Sequence, residues 1–235
     1  MPYIDWLRVI TVLLLVPFHS ALPFIFGHNQ LVWFGYNWWI TNSQKNLAAH
    51  AMVIVLDQYH MSLLFLIAGA ATWFSLGRRT GGEYLVERIK RLFVPITFGS
   101  LVFVVTNHFL SQHHYFYLHT VTFGNFLQHY PTIVQERLVP FTTGWCPGAL
   151  WFIWYLLFYT LVFFPLFLLI RRKGDRFIPW LAWFFEKRGA VFLLAIPIAL
   201  VQIYPPPPIT DSWVLHNFPL FYHLPFFVYG FFSCL

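Results

Sequence analysis

Six apolar stretches, each near the length a helix needs to cross a bilayer, restrict this 235-residue chain to one class of fold. A hydrocarbon core takes about 20 helical residues. Stretches of that kind fall near Trp6–Phe26, Leu47–Leu76, Leu92–Leu110, Ala149–Ile170, Ala190–Tyr204 and Leu215–Leu235. Charged residues make up only 9% of the chain, against roughly 25% in an average soluble domain. The expectation is therefore an all-α, polytopic transmembrane protein, with residues 1–235 forming one membrane domain. The second stretch is too long for a simple span and holds His50, Asp57 and His60; it reads as an outer-surface segment leading into a span that starts near Met61. The chain stops at FFVYGFFSCL, inside an apolar run, which is expected of a fragment of a longer protein.

Positive charge sets the expected orientation. GRRTGGEYLVERIKR and RRKGDRFIPWLAWFFEKR hold eleven of the fourteen Lys and Arg residues. Alternating spans put both segments on one side, and the positive-inside rule makes that side the cytoplasm, together with the N-terminus. The loops around 27–46, 111–148 and 205–214 then face outward and carry only Lys45 and Arg137 as cations. The net charge of +6 follows from topology, so the expected partner is the lipid bilayer and not nucleic acid. The first apolar stretch reads as a retained span without a signal-peptide cleavage site. Cys146 and Cys234 fall in an outer loop and in the last span, which argues against a disulfide between them. PPPP at Pro205–Pro208 is a short stiff linker ending the fifth span.

RVITVLLLVPFH, from Arg8 to His19, is the first stretch with chemistry in it. Eleven steps of about 100° return a helix to within roughly 20° of its starting direction over a rise of about 16 Å, so the two side chains share a face. An intramembrane cation pairs, snorkels to an interface or faces a polar cavity. Asp5, three residues before Arg8, makes snorkelling the plain reading of the arginine. A lone His19 could serve as a packing residue bonded to a neighbouring helix. Together they offer a cation near the cytoplasmic entrance and a general base deeper in the membrane.

Arg88 and Arg91 in YLVERIKRLFVP lie at i, i+3 where the chain enters its third span. They read either as a membrane-boundary anchor or as an anion clamp, since guanidinium forms paired hydrogen bonds with phosphate oxygens. Asp57 and His60, also at i, i+3, offer a bonded interface pair, a carboxylate orienting an imidazole, or an acceptor-binding site on the outer side. The outer loop contains His108, His113, His114, His119 and His129. Their spacing does not supply metal ligands at i, i+4, and no metal is expected. The aromatic stripe WFIWYLLFYTLVFF reads as lipid-facing, and RFIPWLAWFFEKR as a helix lying on the cytoplasmic bilayer surface.

Four blocks in order, IDWLRVITVLLLVPFHS, YHMSLLFLIAGAATWFSL, YLVERIKRLFVPITFGSL and GALWFIWYLLFY, resemble the acyltransferase family 3 membrane proteins over residues 4 to 165. The nearest branch is similar to the one containing glucan biosynthesis protein C, a glucan succinyltransferase. The resemblance implies transfer of an acyl group, acetyl or succinyl, from cytosolic acyl-CoA to a hydroxyl of an extracytoplasmic carbohydrate, at the inner membrane of a cell. No permanently bound cofactor is implied, because acyl-CoA is the donor substrate. His19 matches the family's catalytic histidine and Arg8 its partner toward the CoA side; Arg88 and Arg91 match the pair that holds CoA. The second block favours His60 over His50. This sequence departs from the family in showing six spans where about ten are typical, and in having Ala149 where relatives carry a polar residue.

The chemistry agrees with those roles on its own terms. A sugar hydroxyl is a poor nucleophile at neutral pH and a thioester is already activated, so the minimum requirement is a base for the hydroxyl proton. A neutral imidazole suits this, and a covalent acyl-imidazole is the two-step alternative. Other classes make different demands. A secondary transporter using Arg8, His19 and Asp57 predicts inverted repeats and broken helices, and a haem protein predicts paired histidines with a Soret band. The unrelated membrane-bound O-acyltransferase superfamily would need a late histidine, His216 or His223.

Overall fold

The computed structural model describes residues 2–26, 44–116, 122–138, 150–173, 179–180, 183–184, 186–187, 189–203 and 218–233. Regular structure among these residues is helical, as a chain in hydrocarbon must satisfy its backbone groups internally. Pro17 shapes the first span. It lacks an N–H and crowds the carbonyl of Leu13 four residues back, and the stretch divides into α1 (Pro2–Leu13) and α2 (Leu15–Ala21), followed by a 3-10 turn at Leu22–Phe24. Asn46 opens the next helix. Its side-chain oxygen accepts from the N–H groups of Ala48 at 2.8 Å and Ala49 at 3.1 Å, while its own N–H donates to the Phe24 carbonyl at 2.9 Å.

Helix α3 (Leu47–Arg78) is unbroken over 32 residues, about 48 Å at 1.5 Å per residue. The expected segment before Met61 is continuous with the span that follows it, as one helix. The cap lies at Asn46, and no Gly or Pro interrupts the chain from Leu47 to Ala68, so the helix propagates through His50, Asp57 and His60. Thr80 starts α4 (Gly81–Gly99) with a reciprocal box: the Glu83 N–H donates to Thr80 Oγ1 at 3.3 Å and the Thr80 N–H to the Glu83 carboxylate at 3.0 Å. A π-helical segment, Ser100–Val104, carries α4 into α5 (Val105–Phe116). The helix that holds the third expected span therefore begins at Gly81, before Leu92.

Further along lie α6 (Phe123–Leu138), α7 (Trp151–Lys173), a 3-10 turn at Ala190–Leu194 leading into α8 (Ala195–Ile203), and α9 (Phe218–Phe232). Four segments are long and apolar enough to cross a bilayer: Asp5–Phe24, Leu47–Arg78, Gly81–Leu110 and Trp151–Arg172. Four of the six expected spans thus reach crossing length among the described residues. In the other two, α8 has 9 residues and α9 has 15.

The described helices group into two compact units. The first draws on Met1–Met61 and Pro95–Phe152. Its packing joins Phe18, Ala21, Leu22 and Ile25 to Val53 and Leu56; a second cluster joins Val105 and Phe109 to Ile133. Tyr130 of α6 donates its hydroxyl to the Leu101 carbonyl of the π-helical segment at 3.1 Å. The second unit draws on Ser62–Val94, Ile153–Ile209 and Leu215–Leu235. Its centre is aromatic: Phe65, Tyr159, Phe167, Phe227 and Phe231 are buried, and Phe167 stacks on Phe231 with centroids 3.7 Å apart.

Candidate functional site

His19 and His60 are built alike in the first unit. The Nδ1 of His19 lies 2.8 Å from the carbonyl of Leu15, four residues back on α2. A carbonyl can only accept, so Nδ1 carries the hydrogen, and in the neutral ring Nε2 keeps its lone pair. His60 repeats the arrangement on α3, its Nδ1 donating to the Leu56 carbonyl. The two differ in exposure: His19 is half-buried, whereas His60 is 1% exposed and its buried Nε2 has no hydrogen-bond partner among the described residues. Phe18 connects them. Its ring lies 5.2 Å from the His19 ring and 4.7 Å from the His60 ring. Exposed His129 also bonds its Nδ1 to a carbonyl four residues back, so the tautomer comes from helix geometry, and the burial of His60 from packing.

Arg8 is exposed and faces Asp5, with 3.8 Å between nitrogen and oxygen. No described contact brings Arg8 to His19, and the break at Leu14 lies between them. Asp57 is half-buried, and no hydrogen bond or ion pair joins it to His60 among the described residues. The backbone, not the carboxylate, orients that imidazole. His50 meets the edge of Phe26 at 5.5 Å.

Arg88 and Arg91 occupy α4 in the second unit, where they have different surroundings. Arg91 is 71% exposed and ion-paired to Glu87, one turn earlier. Glu87 also pairs with Arg79, from the turn before α4. Arg88 is half-buried, its Nε and one terminal nitrogen shielded from solvent. A phosphate approaching Arg91 therefore meets a guanidinium already engaged by a carboxylate. Glu87 at i−4 of Arg91 is an ordinary sequence signal, while its second partner depends on the α3–α4 turn.

Elsewhere, His223 is buried and stacks on Phe65 at 4.9 Å in the second unit. His216, His119, Cys146, Cys234 and Pro205–Pro208 lie outside the described residues. No group of three or more His, Cys, Asp or Glu among the described residues could hold a metal ion.

Long apolar helices, with a buried imidazole and a half-buried one beside the first span, define a multi-pass membrane protein with acid–base groups inside its packing. A family model described as an acyltransferase domain matches residues 1–234. The chain belongs to acyltransferase family 3 and is an acyltransferase. No curated protein and no solved structure gave a match.

Proposed function

We propose that this protein moves an acetyl or succinyl group from cytosolic acyl-CoA to a hydroxyl of an extracytoplasmic carbohydrate, from an inner membrane with its N-terminus in the cytoplasm. The resemblance to the glucan succinyltransferase branch supports the acceptor class. The observation that carries the reading is the bond between His19 Nδ1 and the Leu15 carbonyl, which leaves Nε2 as a base. In the direct route Nε2 takes the hydroxyl proton as the oxygen bonds to the thioester carbonyl carbon. The carbon–sulfur bond breaks, CoA leaves as its thiolate, and the proton held on Nε2 neutralises it. A two-step route would instead place the acyl group on Nε2 before the hydroxyl attacks. Arg8 assists from the CoA side, Arg88 and Arg91 hold CoA phosphates, and His60 with Asp57 bind the acceptor.

Release of CoA thiol by the full chain in proteoliposomes tests the reading, with acetyl-CoA and succinyl-CoA as donors and glucan as acceptor. Arg88→Ala with Arg91→Ala is expected to slow release at subsaturating donor, with recovery as donor rises. Unchanged release at subsaturating donor would remove the two arginines from the donor site. No release by the unaltered chain with either donor would contradict the reading itself.

A further inference from the structure

The cations of the second unit are unequally matched. Glu87 pairs with Arg79 and Arg91, and the Glu83 carboxylate accepts from the Thr80 N–H. No ion pair reaches Arg78, Arg171 or Arg172 among the described residues. These three arginines lie where the C-terminal ends of α3 and α7 meet. Arg171 fixes that meeting: its Nη1 donates to the Trp73 carbonyl, and its Nη2 lies against Gly77, where an added Cβ would be 2.6 Å away. Arg78 follows Gly77 and Arg172 follows Arg171, and both are exposed. A helix C-terminus carries about half a negative charge. Two such ends offset about one of the three guanidiniums, which leaves a surplus of roughly two positive charges.

Below this charged end the surface of α7 is apolar. Leu169, Leu166 and Val162 precede Arg172 at steps of three, three and four residues, so they share its face of the helix. They are 52%, 45% and 49% exposed, along about 15 Å of helix. On a helix long enough to cross a bilayer, such a face is open to acyl chains. A soluble anion would use only the charged end, whereas a phospholipid matches both the charge and the apolar stripe.

We propose that Arg78, Arg171 and Arg172 hold the phosphodiester of an anionic phospholipid, of the phosphatidylglycerol class, with an acyl chain laid along Leu169, Leu166 and Val162. Guanidinium donates paired, charge-assisted hydrogen bonds to phosphate oxygens. The Arg171 Nη2 makes no hydrogen bond among the described residues, and the bond from Nη1 already holds its plane in place. A zwitterionic lipid is disfavoured, because its headgroup brings a cation toward the same arginines. Such a site holds its lipid whatever group the protein transfers.

The test is native mass spectrometry of the full chain in detergent, offered equal amounts of dioleoyl phosphatidylglycerol and dioleoyl phosphatidylcholine. The unaltered chain is expected to retain the anionic lipid preferentially. Each basic side chain near an anionic lipid contributes about fivefold, so Arg78→Gln with Arg172→Gln should lower the preference about tenfold or more. Both side chains are exposed, and the Arg171–Trp73 bond is left intact. Lys45→Gln with Lys90→Gln removes the same net charge elsewhere and should leave the preference unchanged. No preference in the unaltered chain, or equal loss in the two double variants, would overturn the proposal. Inorganic phosphate and acetyl-CoA are added in separate arms. Displacement of the retained lipid by either one at equal concentration would reassign the arginines to a soluble phosphate and overturn the lipid site.

Discussion

Arg171 of α7 donates to the backbone carbonyl of Trp73 in α3 at 2.8 Å, with its guanidinium 4.8 Å from the centre of the Trp73 ring. Gly77, one turn beyond Trp73, leaves room for this: a Cβ there would lie 2.6 Å from an Arg171 terminal nitrogen. An arginine at a basic membrane boundary thus acts as a fastener near the C-terminal end of α3, where a cation also complements the helix dipole. Arg171→Ala is expected to destabilise the detergent-solubilised protein by about 2–4 kcal/mol, the range for a charged hydrogen bond with a cation–π contribution. Gly77→Ala should disturb the same contact. Thermal unfolding of both single variants and the double variant checks it, and strictly additive losses would contradict a shared contact.

Gly69 and Gly230 make a reciprocal approach in the second unit. A Cβ on Gly69 would collide with the Phe227 carbonyl oxygen, and one on Gly230 with that of Leu66. Backbone is the obstacle in each case, so the helices must separate to admit even alanine. Either glycine-to-alanine change is expected to cost about 1–3 kcal/mol, as overpacking does. Gly82→Ala is the control, because nothing lies within 4 Å of its added Cβ. Equal melting temperatures for all three variants would rule out the close crossing.

Glu87 is paired with both Arg79 and Arg91. If Arg91 holds a CoA phosphate, the phosphate competes with this carboxylate. Exposed ion pairs are worth about 0–1 kcal/mol, so Glu87→Gln is expected to lower the donor KM about two- to fivefold at low salt, with the gain fading as salt rises. A raised KM would instead make Glu87 an organiser of the arginines.

Parts of this architecture were legible in the chain and parts were not. Apolar length locates four crossing helices, because backbone satisfaction in hydrocarbon allows little else. The unbroken α3 was obscured by His50, Asp57 and His60, polar residues that look like surface in the sequence; the structure lays the Phe18 ring against His60 and the Phe26 ring against His50. Asn46 and the Thr80–Glu83 pair have the residue types of caps, and the structure shows them bonded as caps. The π-helical turn at Ser100–Val104 has no comparable local signature, and the Tyr130 hydroxyl that meets it comes from 29 residues away. At the candidate site, His19 was visible as an imidazole at helical spacing from Arg8. The orphaned nitrogen of His60 was not, since its burial depends on a partner helix.

The most direct measurement of the central claim follows radiolabelled acetyl-CoA or succinyl-CoA in membranes carrying the unaltered protein or its His19→Ala variant at equal level. Label in the extracytoplasmic carbohydrate fraction is scored. Label is expected with the unaltered protein, with a loss of about 10²-fold or more in the variant, the range for removal of a general base. Label persisting in the variant at an undiminished rate would contradict the account and move the chemistry away from His19.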